Sequence, residues 1–510
     1  MLAFIARRLM ISAVLLLVGT FLAYVLIALS GDPLQDLRQD TGPDRENRIA
    51  ARTELLDLDT PVVLRYFLWL GGAAKCLVPF AGECDLGQSI RGQDVTFLLS
   101  GAIGSTLRLI LVATVMAAFV GVVVGIVTAL RQYSRLDYST TLASFVFVSL
   151  PLFWFAVLLK QYIAIDVNDW LGDPVVTVGT AVAVGLVTGL AWGGVIGGSR
   201  QRTLVSFGIG FVGGAGLLLL LSATGWFDSP GIGPIGVALM ALASAVGLTA
   251  LLSGFGYRNV LYAALVMAVI GIVANLSLGA VLFDPGWWTL LLLLLLTVAV
   301  GVGVGYAMGG LQRRQAVQAA VWTGVLTGFA VVVDRMLSAW DNYAEAVNGR
   351  VVPTFGSETP NYDGGFWGNL LDSTTHLALP TLALILVSVA TYSRYTRASM
   401  LEVMNQDYVR TARSKGLNER TVIIRHAFRN GLIPITTLIA FDVAGLLGGA
   451  VVTETVFGWQ GMGRLFTTAL TEVDPNPAMA FFVVTGAAAV ILNMLADIAY
   501  AYLDPRIRVS

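Results

Sequence analysis

The sequence predicts an all-α, polytopic membrane helix bundle, and three observations carry that prediction. Of 510 residues, 56% are hydrophobic and only 12% are charged, against roughly 25% charged in soluble domains. Mean hydropathy is +0.78. Apolar stretches of about 20 residues, the length that crosses a bilayer, recur along the chain without strand-like alternation. This composition excludes a cytosolic enzyme, a disordered chain and a nucleic-acid binder. The formal net charge of −1 conceals an uneven distribution of charge along the chain.

Twelve stretches qualify as spans, at roughly 9–29, 103–130, 141–165, 175–198, 204–222, 235–254, 260–283, 288–310, 316–336, 377–393, 431–457 and 479–503. The first is a retained helix. Arg7 and Arg8 precede it, but its apolar run from Leu9 to Leu29 is longer than the core of a signal peptide and no Ala-x-Ala cleavage site follows. With the N-terminus inside, the inner loops hold Arg131 and Arg135, Arg200 and Arg202, Arg258, Arg313 and Arg314, and the tail holds Arg506 and Arg508. The short outer loops 223–234 and 284–287 hold no Lys or Arg. The positive-inside rule therefore predicts a multi-pass protein of the cell (plasma or inner) membrane with both termini cytoplasmic.

Two segments are large enough to act outside the bilayer. Segment 30–100 faces out, is rich in Asp and Glu, and contains both cysteines, Cys76 and Cys84. They are either two unrelated small residues or a disulfide, and the oxidising outer face favours the bridge. Segment 394–430 faces in and carries Arg394, Arg397, Arg410, Arg413, Lys415, Arg420, Arg425 and Arg429. Gly416 divides it into two short helices, with Asn418 placed to cap the second. Its residues alone fit two descriptions equally: a basic loop resting on anionic headgroups, or a docking helix for a cytoplasmic partner.

That segment resembles the cytoplasmic EAA loop of type I ABC importer permeases. More narrowly, it resembles the dipeptide and oligopeptide (DppB/OppB) group, through Asp407-Tyr-Val-Arg-Thr-Ala-Arg-Ser-Lys-Gly416-Leu417. The literal Glu-Ala-Ala is replaced by Arg410-Thr411-Ala412. Further similar motifs are Gly31-Asp32-Pro33, Asp85-Leu86-Gly87, Ser149-Leu150-Pro151 with Phe153-Trp154, His376-Leu-Ala-Leu-Pro380, Gly448 through Trp459 with Gly461-Met-Gly463, and Leu503-Asp504-Pro505-Arg506. The likeness covers about 1–170 and 366–510; 171–365 reads as an inserted set of about six spans in three hairpins, for which the resemblance implies no function.

The resemblance implies a translocation subunit of an ATP-driven importer of di- or oligopeptides. It implies a second permease (DppC/OppC-like), one or two ABC ATPase subunits, and an extracytoplasmic peptide-binding protein. ATPase coupling falls to Asp407, Arg410, Thr411, Ala412, Gly416, Leu417 and Arg425. Gly458, Trp459, Gly461 and Gly463 form an outer loop near the binding protein, and Glu454 lies on the translocation pathway. Asp442, inside a span, either lines the pathway or makes a structural hydrogen bond; Asn493 and Asp497, four apart, read as helix–helix contacts. No G-x-x-x-x-G-K-[ST] occurs, and the only lysines are Lys75, Lys160 and Lys415. The chain is therefore expected to be no enzyme and to bind no cofactor itself, with ATP and Mg held by partner subunits. No metal-ligand cluster and no catalytic set is read. Gly208-Ile-Gly210-Phe-Val-Gly213 lies within an apolar span and reads as helix packing, not a nucleotide site. The alternatives are a nickel or oligosaccharide importer permease of the same family or, from another class, a secondary transporter of twelve spans.

Overall fold

The computed structural model describes residues 2–76 and 83–503, a few helical positions by backbone alone. The chain divides into two units, one made of residues 1–162, 354–357 and 377–510, the other of 163–353 and 358–376. The second unit thus extends at both ends beyond segment 171–365, which the sequence reads as an insert. Among the described residues the architecture is helical, with a single isolated β-bridge between Gln88 and Asp94.

Among the described residues ten helices are long and apolar enough to cross a membrane, or eleven if a bent pair counts as one span. The pair is Arg135–Ser149 with Leu152–Leu171, turned by 102°. Its cause is local: Pro151 holds φ at −60° and forces Leu150 into extended backbone, so the helix stops before it and restarts after it. The expected eleventh span, 431–457, does not form one long helix. The structure builds Ile433–Gly449 and then Val451–Phe457, because the Gly448-Gly449 pair weakens the helix where it breaks. The count of twelve is corrected accordingly.

In the first unit, helix Gly365–Met404 packs on helix Val95–Leu130 at backbone distance. A Cβ at Gly121 would sit 2.6 Å from Tyr392 Cβ, and one at Gly125 would sit 2.5 Å from Thr396 Cβ and 2.7 Å from the Ser393 carbonyl oxygen. The small-xxx-small spacing of Gly121 and Gly125 is what admits this approach. Helices Gln35–Gln39, Arg45–Leu55 and Val62–Lys75 follow the first span. The last of them packs Tyr66, Trp69 and Ala73 with Tyr24, Val95, Met479 and Phe481. A disulfide joins Cys76 and Cys84.

The second unit holds three helix pairs: Val178–Ile196 with Arg200–Ala223, Gly233–Leu252 with Arg258–Ser277, and Trp287–Met308 with Arg313–Leu337. Alanines fill the seam between the latter four, with Ala241, Ala245, Ala263, Ala264, Ala316 and Ala320 all buried. Small side chains there let helices approach and gain dispersion contacts that lipid does not supply. In the glycine-rich helix Arg200–Ala223, a Cβ at Gly210 would sit 2.8 Å from the Thr188 carbonyl oxygen, a helix-packing contact.

The Gly125 contact yields a test. Gly125→Leu forces backbone apart and is expected to destabilise the chain by about 1–3 kcal/mol or more, read as a lower thermal midpoint in detergent. Gly104→Ala, at a glycine with nothing within 4 Å, is the control and is expected to be neutral or slightly stabilising.

Candidate functional site

The 394–431 segment begins as the end of helix Gly365–Met404. Gln406 turns to extended backbone (ψ 149°), and helix Asp407–Ser414 follows. Gly416 then adopts φ +72°, in the left-handed region that costs a residue with a Cβ about 1–2 kcal/mol. Asn418 caps the next turn, its side chain accepting from the Arg420 N–H at 3.0 Å. The chain continues through a π-helical stretch, Val422–Phe428, to Gly431.

Two features make this a body and not a loose loop. Val409, Ala412 and Val422 bury against one another and against Val403 and Met404. Arg413 spans the Gly416 break to Glu419 at 2.7 Å, and its guanidinium holds the Glu419 carboxyl below the ordinary carboxylate range. Of the coupling residues read from the sequence, Asp407, Arg410, Thr411, Gly416, Leu417 and Arg425 are exposed, while Ala412 is in the small core. Leu417, Tyr408 and Ile424 are large apolar side chains left 40%, 41% and 54% exposed.

The root of this body is tied to its neighbours. Arg397 donates from Nε to Asp137 Oδ1 at 2.6 Å and from a terminal nitrogen to Oδ2 at 2.9 Å. Asp137, only 2% exposed, also accepts from the Tyr133 N–H at 3.0 Å. Arg394 lies 5.0 Å over the Phe145 ring, and Ser393 meets Ser144 at 3.4 Å. Ser399 donates to the Gly431 carbonyl at 2.8 Å, closing the segment onto its own start. Sequence reasoning counted Arg397 only as one more inside charge. The available signal was Asp137, an acid beside Arg131 and Arg135 between two apolar stretches.

Asp442 faces helix Gly365–Met404, where Tyr392 and Ser388 both donate to its Oδ2. Glu454 is wholly buried, and its oxygens accept from the Thr106 hydroxyl at 2.6 Å and from the N–H groups of Gly463 and Arg464 at 2.6 and 3.1 Å. These partners make Glu454 the organiser of the 458–464 turn. Gly458 ends helix Val451–Phe457 at φ +61°. Trp459, on the turn after that helix, is fully buried, packed with Leu109, Ala113 and Leu384 and donating to the Ser105 carbonyl at 3.1 Å. Gly461 and Gly463 pack on Glu454 and Val451, where a Cβ would not fit. Arg464 donates to the Gly458 carbonyl at 2.6 Å and stacks 4.8 Å over Phe355. The side chains of Asn493 and Asp497, and the ending 504–510, lie outside the described residues.

Beside the last span, Asp474 accepts from the Ile90 N–H at 2.6 Å, Asn476 donates to the Gln88 carbonyl at 2.8 Å, and Arg91 pairs with Glu472. Together they clamp residues 88–91 of the 30–100 segment to residues 472–476.

The model of the family described as "Binding-protein-dependent transport system inner membrane component" matches residues 288–509. The oligopeptide transport system permease protein OppB of Mycobacterium tuberculosis is 27% identical over 507 residues, covering 99% of each chain. The oligopeptide transport system permease protein AppB of Bacillus subtilis is 24% identical over 512 residues, again covering 99% of each. The dipeptide transport system permease protein DppB of Escherichia coli is 41% identical over 149 residues, which are 29% of this chain and 44% of that protein.

Burial pushes the Asp474 carboxyl up from 3.8 to about 6. The folded chain therefore holds this proton where the unfolded chain has released it. The contribution of Asp474 to the clamp is fully present below about pH 4, is lost as pH rises through about 6, and is level above that. The shift corresponds to about 3 kcal/mol. Thermal midpoints in detergent between about pH 5 and pH 8 are expected to fall with rising pH, and Asp474→Asn is expected to flatten that slope.

Proposed function

We propose that this chain, which belongs to the inner-membrane component family of binding-protein-dependent transport systems, is the translocation subunit of an ATP-driven importer of di- or oligopeptides. The observation that carries the reading is the 394–431 body: a small packed unit at the end of a span, presenting Asp407, Arg410, Leu417 and Arg425 to solvent. Exposed apolar side chains beside cations form the kind of surface a protein partner covers. The names of the similar permeases supply the substrate class.

The energy comes from elsewhere. With Lys75, Lys160 and Lys415 as its only lysines and no Walker sequence, the chain has no P-loop, so ATP and Mg sit on one or two ABC ATPase subunits. A second permease of similar core completes the pathway, and an extracytoplasmic binding protein delivers peptide. Both termini face the cytoplasm, as the Lys/Arg distribution requires. The exposed coupling residues Asp407, Arg410, Thr411, Gly416, Leu417 and Arg425 receive the ATPase, and Ala412 holds the body together beneath them. ATPase closure displaces the body and switches the spans between inward- and outward-facing states. Asp442 lines the pathway, where a carboxylate attracts the α-ammonium of a peptide.

Two substitutions test the docking role. Gly416→Val meets no side chain but cannot hold φ +72° without strain, so it re-aims Leu417. Arg425→Glu reverses an exposed charge without disturbing the small core. Each is expected to lower ATP-dependent uptake of isotope-labelled short peptides into vesicles by about ten-fold or more, with membrane insertion unchanged. Normal uptake by both removes the docking surface from this segment.

A further inference from the structure

The inner end of helix Arg135–Ser149 carries a buried carboxylate that the coupling residues do not explain. Asp137 uses both oxygens on the Arg397 guanidinium, in the two-bond geometry that fixes direction as well as distance. Its surroundings are arranged to hold it there. Ser134 caps the helix by accepting from the Asp137 N–H at 3.2 Å, and Tyr133 sits at φ +61° while donating its own N–H to Asp137 Oδ2 at 3.0 Å. A non-glycine residue in that region is uncommon and is held by its partners.

Arg397 differs from the segment's other paired arginines, of which Arg410 pairs within it, with Asp407 at 3.8 Å. Arg413 pairs within the 394–431 body, with Glu419. Arg397 pairs out of it, with a residue of another membrane helix. The Ser393–Ser144 and Arg394–Phe145 contacts lie on the same seam. A buried ion pair is weak support for stability, since apolar residues of similar volume often do as well. What it supplies is a fixed register between two elements, and it resists shear in a way that greasy contacts between sliding helices do not.

We propose that Asp137 and Arg397 are positioning residues, a latch through which displacement of the 394–431 body is passed to helix Arg135–Ser149 and so to the Pro151 bend. The proposal rests on the peptide-importer reading above. Without the latch the ATPase still docks and cycles, but the body moves without dragging that helix. The latch acts on the ratio of transport to hydrolysis, not on either alone.

The test uses the complete transporter in vesicles, with both permeases, the ATPase subunits and the binding protein. Uptake of isotope-labelled short peptides and ATP hydrolysis are measured together. Asp137→Asn keeps the shape and removes the charge. It is expected to leave hydrolysis near the wild-type rate and to lower peptides moved per ATP by about ten-fold. Arg397→Asp is expected to do the same, and the exchanged pair Asp137→Arg with Arg397→Asp to recover much of the ratio. Arg397→Lys keeps the charge but not the paired bonds and covers the case in which the other variants fail to assemble; it is expected to give an intermediate ratio. An unchanged ratio in Asp137→Asn or Arg397→Lys, uptake and hydrolysis falling in parallel, or an exchanged pair no better than Arg397→Asp overturns the latch. Absence of peptide uptake by the wild-type complex overturns the importer reading itself, and the latch with it.

Discussion

The backbone approach of helix Gly365–Met404 to helix Val95–Leu130, permitted by Gly121 and Gly125, sets the geometry of the rest of the first unit. Where those glycines stand, the facing helix places Tyr392 and Thr396 almost against main chain. The same helix carries Ser388 and Tyr392 to Asp442, Arg397 to Asp137, and Met400 into a cluster with Ala129 and Ala427. A side chain at either glycine would shift this helix by ångströms, and every one of these contacts is shorter-ranged than that. Dispersion packing in lipid rewards such approach because no hydrophobic force otherwise favours helix contact over lipid contact.

A second regularity is how the first unit treats its buried and half-buried acids. Asp137, Glu454 and Asp442 each sit against donors from another part of the chain, and Glu454 alone gathers Thr106, Gly463 and Arg464. Removing a carboxylate from water is tolerable only when its oxygens are used. These residues therefore work as joints. They link segments far apart in sequence and fix direction, which apolar contacts do not.

Much of the fold was legible because its cause is local. Apolar length marks spans, Gly416 marks a break, and Asn418 marks a cap, each following from one residue and its neighbours. The bend at Ser149–Leu152 was present in Pro151 but was read through as a continuous span, since hydropathy averages over a proline. The stretch 431–457 was read as one span for the same reason: its apolarity is continuous although its helix breaks at Gly449. Trp459 illustrates a different limit. Its place among glycines is legible in the sequence but its burial is not, because only the fold brings Leu109 and Leu384 over it.

The sequence by itself determined that this chain crosses a membrane many times, where its large polar segments lie, and which segment gathers cations around a helix break at Gly416. Those properties depend on composition and on spacing along one helix, which a linear text preserves. Only the tertiary structure decided that Ala412 is core, that Trp459 is buried, that Glu454 serves a turn, and that Arg397 is bound to Asp137 across 260 residues. Pairings over such separations rest on which faces the packed helices present to each other. That is set by the summed fit of many side chains, and no single stretch of sequence contains it.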